Sequence, residues 1–153
     1  MHEEITIGYV PQRMALVAWR SAALDNTGEV ITAAFADVLA HIDSGGACGS
    51  EERIVMYPPE WGQPGEHEIG VAIVIADGGP GPGIRLEELP ACRVVKMVHY
   101  GPYAAIRDGW GVVWDWMDEH DIEPAYGCWE VYLNSPDEVP EMELATELLV
   151  PLP

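Results

Sequence analysis

The sequence predicts an α+β fold: duplicated β-α-β-β units forming one antiparallel sheet, with two helices on one side and a central ligand cleft. Three observations carry this. The order strand-helix-strand-strand can be read twice along the chain. The two halves also match in detail, with Phe35-Ala36-Asp37-Val38-Leu39-Ala40-His41-Ile42 paralleling Trp110-Gly111-Val112-Val113-Trp114-Asp115-Trp116-Met117, and Val55-Met56-Tyr57-Pro58-Pro59 paralleling Val131-Tyr132-Leu133-Asn134-Ser135-Pro136. A Gly/Pro stretch at 78–83 separates them. The units are expected at about 5–77 and 91–152, within one domain spanning 1–153. Each has too few strands to bury its helix alone, so the two should pair, leaving at their junction a cleft of the kind that binds small molecules.

The elements follow in order. Residues 5–20 alternate weakly and include Met14-Ala15-Leu16-Val17-Ala18-Trp19, which reads as a strand. Asn26-Thr27-Gly28-Glu29 reads as a helix N-terminus with an acid in its first turn. Ile31, Phe35, Val38 and Ile42 continue at helical spacing, and Gly45-Gly46 ends that helix. Arg53 to Tyr57 is a strand stopped by Pro58-Pro59, and His67 to Ala76 is a buried one. Cys92 to Tyr100 opens the second unit. Gly101-Pro102 then starts a helix at a position where the missing proline N–H costs nothing. Ile106, Trp110, Val113, Trp114 and Met117 form its apolar stripe. Tyr126 to Asn134 and Met142 to Leu152 are the last two strands.

Composition narrows the function. At 153 residues, with 48% hydrophobic residues, the chain can bury a real core. It carries 26 acidic residues against 7 basic ones, a formal net charge of -19, with no Lys or Arg after Arg107. Such a field repels phosphate backbones and attracts cations, so nucleic acid is not an expected partner. It also keeps a Trp-rich protein in solution. The longest apolar run, Val71 to Ala76, is too short to cross a bilayer, and no export signal is read at the start, so a cytoplasmic location is expected with no membrane partner. Cys48, Cys92 and Cys128 have no metal spacing and read as reduced thiols. The five histidines are scattered. There is no HExxH, Cys-x-x-Cys, GxSxG or phosphate loop, and neither metal nor cofactor is expected.

Candidate site residues come from strand alternation and aromatic placement. On the strand near the C-terminus, Trp129, Val131 and Leu133 share one face while Tyr126, Cys128, Glu130 and Tyr132 share the other. A carboxylate among tyrosines is either solvent-facing polarity or the polar anchor of an aromatic pocket. Trp110 and Trp114 lie on a helix stripe, where packing comes first, although an indole can pack and line a pocket together. Tyr103 follows the Gly-Pro turn close to where the units meet and reads as a pocket wall. Trp61 stands in a Pro/Gly-rich loop and either folds onto the body or covers the cleft. Tyr57 and Trp19 are weaker wall candidates, with core packing the first reading of Trp19, and Trp116 reads as cover for a surface edge.

The runs His99-Tyr100-Gly101-Pro102-Tyr103, Trp129-Glu130-Val131-Tyr132-Leu133-Asn134-Ser135-Pro136 and Thr146-Glu147-Leu148-Leu149-Val150-Pro151-Leu152, in this order and spacing, resemble the gyrase-inhibitor-like (GyrI-like) small-molecule-binding domains. That domain also forms the effector-binding part of AraC-type and MerR-type multidrug-responsive regulators. The resemblance implies the duplicated fold of SHS2 type reached above. It further implies that Glu130 lies at the base of an aromatic pocket for lipophilic cationic or aromatic xenobiotics, with Glu147 as a second candidate acid. The implied ligand-binding set is Glu130, Tyr132, Tyr103, Trp110, Trp114, Tyr57, Trp61 and Glu147. Glu147 shares its face with Glu143, which equally fits a wet strand face. Binding or sequestration is the expected function. Family members also imply three alternatives. One is hydrolysis of cyclopropane-bearing alkylators by an aromatic cage with Glu130 or Glu147. Another is a gyrase-type protein interaction. The last is service as a regulator's effector domain. Homodimer formation through an exposed last strand is a further expectation.

Overall fold

The computed structural model describes residues 2–48 and 52–153. Along the chain run β1 (Thr6–Val10), β2 (Arg13–Ala22), α1 (Thr27–His41), β3 (Ala47–Cys48), β4 (Arg53–Tyr57), β5 (His67–Ile75), β6 (Asp77–Gly78), β7 (Arg85–Leu89), β8 (Cys92–Tyr100), α2 (Ile106–Glu119), β9 (Cys128–Tyr132) and β10 (Ala145–Pro151). The α+β class and the duplication are both present: β2-α1-β4-β5 recurs as β8-α2-β9-β10. The chain forms two compact units, a contiguous one over Pro11–Ala91 and a composite one that joins the residues up to Val10 to Cys92–Pro153.

In the contiguous unit β5 pairs antiparallel with both β4 and β2, and β7 pairs with β2, giving the order β4-β5-β2-β7. Val17, Ala18, Val38, Ile54, Val55, Ile69, Val71 and Ala72 are fully buried there. The run Val71 to Ile75 is nearly all apolar because the middle strand of a covered sheet meets protein on both faces. Asn26 precedes α1 but does not cap it. Its Oδ1 instead accepts the Ala23 N–H at 2.8 Å, closing the turn before the helix. Gly45, at φ 92°, ends the helical segment in the left-handed region that a side chain would strain.

In the composite unit β10 is central, pairing antiparallel with β8 and β9, while β1 pairs with the far edge of β8. Residues 6–10 thus form a strand of their own, ahead of the one read around Met14–Trp19. Pro11 lies between β1 and β2, and without an N–H it cannot continue a ladder. The order β9-β10-β8-β1 repeats β4-β5-β2-β7 strand for strand. Each unit thus takes its edge strand from the segment just ahead of the other repeat. The stretch 78–83, expected to be a plain linker, holds an ordered turn. Gly78 pairs with Ala47, and Gly81 and Ile84 exchange backbone hydrogen bonds.

Helix α2 lies on one face of the composite sheet. Val95, Met97, Leu148 and Val150 from the sheet meet Ile106, Val113 and Met117 from the helix, all buried. Each such fully buried side chain contributes roughly 1.5–3 kcal/mol. The apolar stripe read from the sequence is the stripe that packs. The helix begins after a short turn at Tyr103–Ala105, with Pro102 just outside it. No helix among the described residues is long and apolar enough to cross a membrane.

Candidate functional site

Strand register decides which side chains share the α2 face. Glu130 of β9 stands opposite Leu148, and Leu148 stands opposite Met97. Directly opposed residues point to the same side, so Glu130 faces the helix with the apolar core of the unit. Tyr132, two residues on, faces the same way. Glu130 is only 7% exposed, which removes the solvent-facing reading of this carboxylate.

A buried carboxylate must be hydrogen-bonded or it is costly to hold. Trp110 donates its indole N–H to one Glu130 oxygen at 2.7 Å, and the Tyr132 hydroxyl donates to the other at 2.7 Å. Hydrogen bonds to a charged acceptor contribute about 1.5–3 kcal/mol each. Both donors are neutral, so they stabilise the carboxylate without cancelling its charge. The charge is felt nearby. Burial first, and the Glu130 charge second, push the Cys128 thiol up to about 12.

Aromatic rings extend from this pair. Trp110 stacks on Trp114, one helical turn on, with ring centres 5.4 Å apart and planes inclined by 20°. Tyr103 meets Tyr132 edge to face at 5.6 Å and is 42% exposed, so it stands at the outer end of the row. Tyr103, Tyr132, Glu130, Trp110 and Trp114 are thus joined into one chain of contacts.

The remaining sequence candidates are held as follows. Tyr57 and Trp61 belong to the contiguous unit, where their rings pack at 5.2 Å and Trp61 meets His67 at 6.2 Å. The Trp61 ring therefore packs against residues of its own unit. Glu147 stands opposite Val131 and Val98, one residue out of phase with Glu130, on the other face of the composite sheet. The structure does not bring it to Glu130. Trp19 donates its indole N–H to Glu87, and Trp116 packs on the α2 core and stacks on His120.

Two polar residues at this face were not singled out by sequence reasoning. His99 is 5% exposed and Thr146 fully buried, and they are cross-strand partners on the face that carries Glu130 and Tyr132. Alternation along β8 and β10 could have found them, since His99 is in phase with Val95 and Met97, and Thr146 with Leu148 and Val150. Burial lowers the His99 pKa from its ordinary 6.5, so the ring is neutral at pH 7. Among the described residues no three His, Cys, Asp or Glu side chains gather as a metal site would need.

No curated protein matches the chain in sequence. In fold it is similar to the EcmrR C-terminal domain, with a TM-score of 0.85 at 14% identity over 98% of this chain and 97% of that one. It is also similar to EcmrR in its DNA complex, with a TM-score of 0.83 at 13% identity, covering 97% of this chain but 57% of the EcmrR chain. A third similar structure is SAV2435 bound to tetraphenylphosphonium, with a TM-score of 0.63 at 9% identity over 99% of this chain and 94% of that one. The family model of the GyrI-like small molecule binding domain matches residues 54–153, which include β9, β10, α2 and every residue of the Glu130 cluster. The chain belongs to the GyrI-like small molecule binding domain family.

Proposed function

We propose that this domain binds lipophilic cations, with Glu130 as the anionic anchor and Trp110, Trp114, Tyr132 and Tyr103 as the aromatic surround. The observation that carries the reading is a buried carboxylate whose indole and phenol donors are both neutral. In a low-dielectric setting such a charge attracts a cation far more strongly than it would in water. Each well-placed aromatic face adds roughly 0.5–2 kcal/mol. The net charge of -19 raises the local concentration of cations and disfavours anionic ligands. A structural neighbour holds tetraphenylphosphonium, a lipophilic cation, which makes that ion the natural first probe. Glu147, on the other face of the composite sheet, is assigned no contact with the anchor.

The test is a calorimetric titration of tetraphenylphosphonium into wild type and Glu130→Gln. Glutamine keeps the size: its Oε1 can accept from the Trp110 indole while its amide N–H donates to the Tyr132 hydroxyl oxygen, so the fold is retained. Affinity should fall about tenfold or more. Equal affinity in the two proteins removes Glu130 from the site and ends the cation reading.

A further inference from the structure

A concave face lies on the flank of α2 turned away from Trp110 and Trp114. Val112, Asp115, Trp116 and Glu119, at helical spacing, form one stripe, and Val112 stands about 160° around the helix from both tryptophans. Facing the stripe are His2, Glu4 and Ile5, in the segment that runs beside the end of β8. Together these residues line a groove of about 420 Å³. Ile5 and Trp116 supply its apolar floor and pack on the α2 core. The apolar surface continues along β1. Ile7 stands opposite Val95, a core residue beneath α2, so Ile7 and Tyr9 point to the α2 side of the sheet.

Width explains why this flank is bare. The strand axes of a four-stranded sheet span about 14 Å, and a helix with its side chains is about 10–12 Å across. Helix α2 packs on the middle strands β8 and β10, which leaves the β1 side short of cover. Ile7 is 44% exposed, Tyr9 75% and Val112 36%. Contiguous exposed apolar side chains with a charged rim mark a docking surface. The rim is anionic. Glu4, Asp115 and Glu119 line the groove, no Lys or Arg does, and among the described residues none of these carboxylates has an ion-pair partner. Arg93 stands opposite Tyr9 but does not line the groove. Anionic lipid and nucleic acid are repelled here, and a second copy would set the same carboxylates against each other. The missing cover therefore calls for a helix with an apolar stripe and basic flanks.

We infer that the groove between α2 and the β1 segment docks a basic amphipathic helix of a partner protein. Its apolar stripe lies along Ile5, Ile7, Val112 and Trp116, and its Lys or Arg side chains reach Glu4, Asp115 and Glu119. The surface is separate from the Glu130 cluster, on the opposite flank of α2, so the inference stands independently of the cation reading.

The probe is a Leu/Lys peptide of about 18 residues patterned as an amphipathic helix, with a Leu/Glu twin, titrated by calorimetry at physiological salt. Wild type should bind the Leu/Lys peptide and not its twin. Glu119→Lys should weaken binding about fivefold or more, whereas Glu138→Lys, the same charge change at an exposed acid outside the groove, should leave it within about twofold. Val112→Ser, which removes exposed apolar surface, should weaken it about threefold. All three positions are exposed, so the fold is retained. Glu130→Gln should leave peptide affinity unchanged. Equal losses from Glu119→Lys and Glu138→Lys would reduce the binding to general charge attraction and overturn the groove, as would no binding by wild type. A loss from Glu130→Gln would move the peptide to the other flank and overturn it too. Sedimentation should show no self-association that Val112→Ser abolishes; if it does, a second copy is the occupant and the basic partner is refuted.

Discussion

The two units share one topology but fill it with opposite chemistry. Aligning Val55 with Val131, as the repeat does, puts Ile54 at the place of Glu130 and Met56 at the place of Tyr132, while Phe35 matches Trp110. The row that reads His99–Thr146–Tyr132 in the composite unit reads Trp19–Gly70–Met56 in the contiguous one. There Gly70 has no side chain because none would fit. A Cβ would sit 2.8 Å from Met56 Cε and 3.0 Å from the Trp19 ring. The contiguous unit fills its row with its own indole, whereas the composite unit lines the same row with buried polar atoms. Duplication supplied one scaffold twice, and only one copy carries a carboxylate where the other carries an isoleucine. The proposed site is a difference between repeats.

That comparison can be broken by exchange. The largest effect is expected from Glu130→Ile, which gives the composite unit its counterpart's residue. Tetraphenylphosphonium affinity should drop about a hundredfold, some 2.7 kcal/mol. The protein should also be less stable, since Trp110 and Tyr132 lose their acceptor at about 1–3 kcal/mol each. Retained binding in a calorimetric titration would place the anchor elsewhere. Gly70→Thr runs the exchange in reverse, forcing a side chain against Met56 and Trp19, and should cost about 1–3 kcal/mol in urea unfolding. An unchanged midpoint would mean that the filled row of the contiguous unit is not close-packed. Trp19→Phe keeps most of the ring but removes the bond to Glu87. It should cost about 1 kcal/mol and leave cation affinity as it was, and a loss of affinity would extend the site beyond the composite unit.

The smallest effect at neutral pH concerns Cys128. Its thiol is raised from an ordinary 9.0 to about 12, so above pH 9 the folded chain keeps a proton that the unfolded chain has released. Its contribution to stability is full below pH 9 and is lost as pH rises towards 12. At pH 8.5 iodoacetamide should alkylate exposed Cys48 readily and Cys128 slowly, and a mass spectrum showing equal rates would contradict the raised thiol and its half-buried placement.

Much of the fold was legible because local signals agreed. The strands read at Arg53–Tyr57 and Cys92–Tyr100 have those bounds in the structure, since each is an alternating or apolar run ended by Pro or Gly-Pro. What was not legible depends on distant partners. Nothing within Thr6–Val10 says that it pairs with residues 92–96. The Arg-Leu-Glu-Glu-Leu run of β7 is too polar to announce a strand, because an edge strand exposes much of its length. Alternation placed Tyr132 beside Glu130, and the helix stripe placed Trp110 and Trp114 together. Burial of Glu130 could not be read from β9 alone. It depends on α2 covering that face, a fact of tertiary structure. The same limit applies to Glu147, which resembles Glu130 in composition and context but differs by one step in phase.

The exchange of edge strands gives the chain an order of assembly during synthesis. Residues 11–91 are continuous and contain β2, β4, β5 and β7, so all four of that unit's main strands are made before β8. Strand β1, made first, finds its partner last, because β8 begins at Cys92. At about 5–20 residues per second, the first strand waits for several seconds with its backbone unpaired while the unit behind it closes. The half of the protein that carries the Glu130 cluster is therefore begun before the other half and finished after it.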